Sequence, residues 1–160
     1  MHYYPSKAGF TLLELLVVMA IIGILVLVSV SFIGGFKSKG GDAGVKQNLL
    51  NARSQISTYY LNSGNSYLNV CADTTVRRMV QSAARAADIT PIAGGYANGD
   101  VGDWDSEACH ATATAWAVWV PLKNSTSAAN TSAWCIDSTN ASRNVTGNGT
   151  TLGANATVCP

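Results

Sequence analysis

Residues Phe10–Ile33 read FTLLELLVVMAIIGILVLVSVSFI, 24 residues with a single charge, Glu14. At about 1.5 Å per residue a helix of this length spans about 36 Å, enough for a hydrocarbon core of about 30 Å. The apolar residues lie on every side of such a helix, whereas a helix of a soluble domain keeps one side polar. A secretory signal peptide has a shorter apolar run, about 7–15 residues, followed by a small-residue cleavage site. Val28–Ser31 imitates that site poorly. The segment therefore reads as a retained membrane helix. Lys7 precedes it and Lys37 and Lys39 follow it, so flanking charge does not set its orientation.

Outward from this run, Gly34, Gly35, Gly40, Gly41 and Gly44 place five glycines in eleven residues. Each costs a helix about 1 kcal/mol relative to Ala, so the stretch reads as a flexible joint or an easily melted piece of helix. Val45, Leu49, Ala52, Ile56 and Tyr59 then recur at helical steps, with Lys46, Asn48, Arg53 and Gln55 off the stripe. Asn62-Ser63-Gly64 supplies the stop signal. One long helical rod over 10–62 is expected, lipid-soluble in its first half (10–33) and amphipathic in its second. A second helix is expected over 74–87, capped by Asp73 or Thr74, with Val76, Met79, Val80, Ala83 and Ala87 facing inward. Residues 88–111 read as loop. Ala113–Val120 and Ala133–Asp137 read as strands, and Val145-Thr146 as the start of a third. The fold class is α+β, a long N-terminal helix packed on a small antiparallel sheet.

Composition narrows the function classes. The chain has 160 residues, a net charge of +1 and 12% charged residues. That argues against nucleic-acid binding by bulk charge and against a charged disordered tail; Arg77, Arg78 and Arg85 are the candidates for a basic stripe. Four cysteines, none in a CxxC, and two histidines, His2 and His110, do not make a zinc site at usual spacing. His110 has no nucleophile–base motif around it, so the chain reads as non-enzymatic, without cofactor or metal. Asp100, Asp103, Asp105 and Glu107 form an acidic loop whose oxygens suit calcium, or which is simply solvated. Six Asn-x-Ser/Thr triplets begin at Asn124, Asn130, Asn140, Asn144, Asn148 and Asn155. They read as glycosylation acceptors or as the by-product of a polar tail.

Lys7-Ala8-Gly9 followed by Phe10-Thr11-Leu12-Leu13-Glu14 resembles the processing site of type IV pilins and pseudopilins. In that family a peptidase cuts after the glycine and methylates the new N-terminal residue, while the apolar helix stays as membrane anchor and filament core. The resemblance implies a leader over 1–9, cleavage between Gly9 and Phe10, N-methylation of Phe10, a helix over 10–62 and a globular head over 63–160. Trp116–Lys123 (WAVWVPLK) and Trp134–Thr139 (WCIDST) are similar to the sheet of a pilin subgroup. The sequence departs from the pattern at Ser31, near which many pilins have a proline, and at Ala8, where a basic residue is common.

A carboxylate within a spanning helix costs about 3 kcal/mol, so Glu14 should have a partner, unless it lies close enough to the interface to be hydrated. The resemblance makes it a subunit-assembly residue. Cys71, Cys109, Cys135 and Cys159 all follow the membrane helix, and an extracytoplasmic position implies two disulfides among three possible pairings. The likeness to pilins, whose C-terminal segment is closed by a disulfide, favours Cys71–Cys109 with Cys135–Cys159. The implied function is a structural subunit of a surface filament for adhesion or motility. Its implied partners are copies of itself, a prepilin peptidase, an assembly ATPase with its membrane platform, and the cytoplasmic membrane before assembly. A pseudopilin of a secretion system and a minor pilin that takes up DNA are the alternatives. The mature chain should begin at Phe10; N-terminal sequencing that starts beyond the apolar run would overturn this reading.

Overall fold

The computed structural model describes residues 9–93, 96, 102, 106–123, 132–146 and 151–160, with residues 30–38 as helical backbone alone. The chain divides into two compact units, Met1–Lys37 and Ser38–Pro160. Helix α1 covers Leu12–Asn62. Its glycine-rich stretch, expected as a joint or meltable piece, is helical throughout.

In the first unit α1 is apolar, and its residues over Leu12–Ser29 are exposed. Leu12–Ser29 has a mean hydropathy of 2.9 and none of it is buried. The helix is long and apolar enough to cross a membrane.

The second unit is built on the end of α1. Val45, Leu49, Ala52 and Ile56 are fully buried, the stripe expected from their spacing. A short 3-10 turn at Val70–Ala72 leads into helix α2, Thr74–Ala86. Asp73 caps α2, its Oδ1 accepting from the N–H groups of Thr75 (2.9 Å) and Val76 (3.0 Å). Strands β1 (Ala108–Ala111), β2 (Trp116–Pro121), β3 (Ser132–Asp137) and β4 (Ser142–Thr146) form one antiparallel sheet in the order β1-β2-β3-β4. Trp116, Val118, Val120 and Ile136 join α1 and α2 in one core, while Ala117, Trp119, Ala133, Cys135 and Val145 face Leu152 and Cys159 in a second. The alternation follows from the two-residue period of a strand. The sheet is thus covered by helices on one face and by the C-terminal segment on the other.

Strand β1 corrects the expectation of loop over 88–111. ACHA carries neither a β-branched residue nor an aromatic large enough to signal a strand, and only its pairing with β2 makes it one.

The charges off the helical stripe also bind α1 to the sheet. Lys46 Nζ sits 4.5 Å from the centre of the Trp134 ring, and the Arg53 guanidinium 6.0 Å from that of Trp116. Arg53 also donates to the Asn140 and Ala141 carbonyls. Asp42 Oδ1 accepts from the Lys123 N–H at 2.8 Å, and the Lys123 ammonium pairs with Asp88. At this corner Gly41 lets α1 approach α2 closely, because a Cβ there would lie 2.7 Å from the Ala86 carbonyl oxygen. At Gly40 a Cβ would meet nothing within 4 Å. Gly41→Ala should therefore destabilise the chain by about 1–3 kcal/mol through overpacking, despite the helix propensity of Ala. Gly40→Ala should stabilise it by up to about 1 kcal/mol. Thermal unfolding of the detergent-solubilised chain distinguishes the two, and equal effects would contradict the close approach.

Candidate functional site

The first candidate site is the start of α1. Gly9 and Phe10 precede the helix, with Phe10 83% exposed. Thr11 Oγ1 accepts from the Glu14 N–H (3.3 Å), while Glu14 Oε2 accepts from Thr11 N–H (3.0 Å) and Thr11 Oγ1 (2.9 Å). This reciprocal pair is a capping box, which satisfies two backbone donors that a helix start otherwise leaves open. The Thr11-x-x-Glu14 spacing is its signature in the sequence. Glu14 has a partner within its own chain, and it engages one carboxylate oxygen among the described contacts.

The second is the docking of the C-terminal segment on the sheet. Cys71 pairs with Cys109 and Cys135 with Cys159. The first bond ties the 3-10 turn to β1, the second ties β3 to the penultimate residue. Asp137, buried at the end of β3, is the hub of this region. Its Oδ1 accepts from Thr139 N–H (2.8 Å), Thr139 Oγ1 (2.7 Å) and Ala141 N–H (3.1 Å), closing the turn into β4. Its Oδ2 accepts from Cys159 N–H at 2.8 Å, and Arg143 donates to the Cys159 carbonyl. Burial pushes the Asp137 carboxyl up, but the donors from Cys159, Thr139 and Ala141 outweigh it and hold the group below its ordinary value. Sequence reading missed Asp137 because a single Asp after a strand signals no more than a turn.

His110 is buried too, its Nδ1 2.9 Å from the Ala156 carbonyl oxygen, so it helps seat the C-terminal segment. Glu107 departs from the expectation of a solvated acidic loop. It is fully buried, its Oε1 accepting from Ile92 N–H (2.8 Å) and Tyr96 OH (3.2 Å). Burial and the neighbouring Glu107 carboxylate push the Tyr96 phenol up. Asp100, Asp103 and Asp105 lie outside the described residues. Arg78 and Arg85 are exposed on α2, whereas Arg77 is half-buried.

The family model described as the prokaryotic N-terminal methylation motif matches residues 4–30. The chain carries the leader signature of the type IV pilins and pseudopilins. This signature implies processing by a prepilin peptidase and an assembly machinery, and with the apolar helix it fits membrane anchoring before assembly. A long apolar N-terminal helix followed by an antiparallel sheet is consistent with the pilin fold. No curated protein and no solved structure matches the chain.

Asp137→Asn keeps one oxygen for Thr139 and Ala141 but sets an N–H₂ group against the Cys159 N–H. It should cost about 1–3 kcal/mol at neutral pH. Because the folded carboxyl is held low, its contribution is complete above the unfolded value of about 3.9 and is lost as pH falls through the folded one. The stability gap between the native chain and Asp137→Asn should therefore narrow in acid. Melting curves at neutral and strongly acidic pH check this; a constant gap would contradict it.

Proposed function

We propose that this chain is a structural subunit of a type IV pilus, held in the membrane by Leu12–Ser29 and polymerised by stacking of the same helix. The observation that carries this reading is the leader signature set directly on an apolar helix, Leu12–Ser29, none of which is buried among the described residues. Apolar area of that size needs lipid or other apolar helices around it. A filament of stacked helices supplies the second environment and leaves the C-terminal unit, as the head, in water.

Two further observations support it. From Ala43 to Asn62 the exposed residues of α1 carry no charge; Gln47, Leu50, Asn51, Ser54, Thr58 and Leu61 are among them. Lys46 and Arg53 are turned onto the sheet instead, so neighbouring helices can approach without bringing like charges together. The Cys135–Cys159 disulfide, which ties β3 to the segment around Cys159, suits a head exposed to an oxidising exterior. The reading assigns residues 1–9 to the leader, 10–62 to the assembly helix and 63–160 to the head, with Gly9-Phe10 as the cleavage junction and the Phe10 amine as the methylated group. The filament's use is adhesion or motility.

In this reading Glu14 has two successive roles. Within the monomer it caps the helix through Thr11. In the stack its carboxylate also meets the amine that cleavage creates on Phe10 of an incoming subunit, which neutralises two desolvated charges and fixes axial register. Glu14→Gln separates the roles, because glutamine still closes a capping box but offers no countercharge. Removing one member of a buried pair costs about 3–5 kcal/mol. The variant should insert and be cleaved normally yet give few filaments, as read by immunoblots of membrane and sheared fractions. A normal filament yield would show that packing alone sets the register.

A further inference from the structure

The twelve asparagines of the chain fall into two groups. None of the six before residue 110 is followed two places on by Ser or Thr, and every one of the six after it is. Asn140, Asn144 and Asn155 are the members within the described residues, and all three are exposed. No hydrogen bond among the described residues engages their side-chain amides. By contrast Asn48 Nδ2 donates to the Gly44 carbonyl and Asn51 Oδ1 accepts from Gln47.

Backbone geometry explains part of this pattern and leaves the rest over. Asn140 (φ 69°) and Asn155 (φ 62°) take the left-handed conformation that asparagine tolerates in turns. Asn65 and Asn69 do the same, at 61° and 66°, yet Tyr67 and Cys71 stand two places after them. The turn therefore accounts for an asparagine but not for the hydroxyl beyond it. Asn144 lies in β4, where asparagine is disfavoured, opposite Trp134 of β3. In a strand, residues two apart share a face, so Asn144 and Thr146 project side by side while Val145 between them is buried.

We propose that the C-terminal region is N-glycosylated, with the side-chain amides of Asn140, Asn144 and Asn155 as acceptors. This rests on the pilus reading, which places these residues outside the cytoplasmic membrane. The donor class is an oligosaccharide linked to a lipid diphosphate, and the catalyst is a membrane transferase that reads Asn-x-Ser/Thr. The amide nitrogen attacks C1 of the first sugar, forming an N–C1 bond as the C1–O bond to the diphosphate breaks. The amide gives up one proton, the lipid diphosphate departs with the bonding electron pair, and nothing is oxidised or reduced. The acceptors are well presented. Asn140 lies in the β3–β4 turn, and Asn155 in a turn closed by Ala156 N–H donating to the Gly153 carbonyl at 3.0 Å. Asn144 lies on the terminal strand of the sheet, where a glycan would also shield an edge from pairing with other chains.

The test is mass spectrometry of the full mature chain from its native cells, as intact protein and as peptides. The expected result is a mass excess of whole sugar residues on the peptides that hold the three asparagines. Ser142→Ala, Thr146→Ala and Thr157→Ala should each remove one increment, while Thr146→Ser keeps it; all three hydroxyls lie outside the core. A chain that begins at Phe10, contains both disulfides and has bare asparagines would overturn the proposal and leave the pilus reading intact. Sugars attached to Ser or Thr oxygens instead of the amides would also overturn it. An unprocessed chain with free thiols and bare asparagines would overturn both.

Discussion

The uncovered apolar surface of Leu12–Ser29 is the constraint on which everything else depends. Leu12 is 88% exposed, Leu16 70% and Met19 67%. Burying a side chain of this kind is worth about 1.5–3 kcal/mol, so this surface decides where the chain can reside. In a bilayer the cost vanishes, and lipid tails compete on equal terms with other helices, so a membrane holds such helices without driving them together. In water the same helices have to cover one another. In the proposed filament, drawn out of a membrane, the first environment is traded for the second, and one segment serves both.

The C-terminal unit solves a different problem, that of holding an irregular polar segment in place with little apolar area. Its large core joins α1, α2 and one sheet face, while the opposite face is covered by a few residues around Leu152 and Cys159. Polar contacts make up the difference. Asp137 binds the Cys159 N–H, Arg143 the Cys159 carbonyl and His110 the Ala156 carbonyl, with the Cys135–Cys159 bond beside them. A polar group buried without a partner is costly, which makes this region sensitive to single changes and to acid. At the opposite corner, Gly41 and Asp42 fit α1 closely against Ala86 and Lys123.

What was legible in the sequence followed period and composition. The apolar run, the buried stripe Val45-Leu49-Ala52-Ile56, the capped helix α2 and strands β2 and β3 all carry strong local signals. The leader junction was legible as a motif of side chains in fixed order. What was not legible depended on contacts distant along the chain. Strand β1 exists through its pairing with β2, and Glu107 looked solvated because its burial depends on Ile92 and Tyr96. Gly41 looked like a breaker because the Ala86 carbonyl opposite it is 45 positions away. Lys46 and Arg53 show in the sequence only as charges off the apolar stripe, because the two tryptophan rings that receive them lie on different strands. The capping box at Thr11 and Glu14 was readable from spacing, but a second meaning of Glu14 obscured it.

The most direct measurement of the central claim is hydroxyl-radical footprinting of sheared filaments in detergent-free buffer, read at Met19 and its apolar neighbours. If helices of adjacent subunits cover one another, Leu12–Ser29 stays unlabelled with no lipid present, while exposed residues of the C-terminal unit outside α1, such as Leu68 and Val158, are oxidised. Labelling of Met19 as strong as that of those exposed residues would contradict the account. So would a chain that never leaves the membrane fraction on shearing.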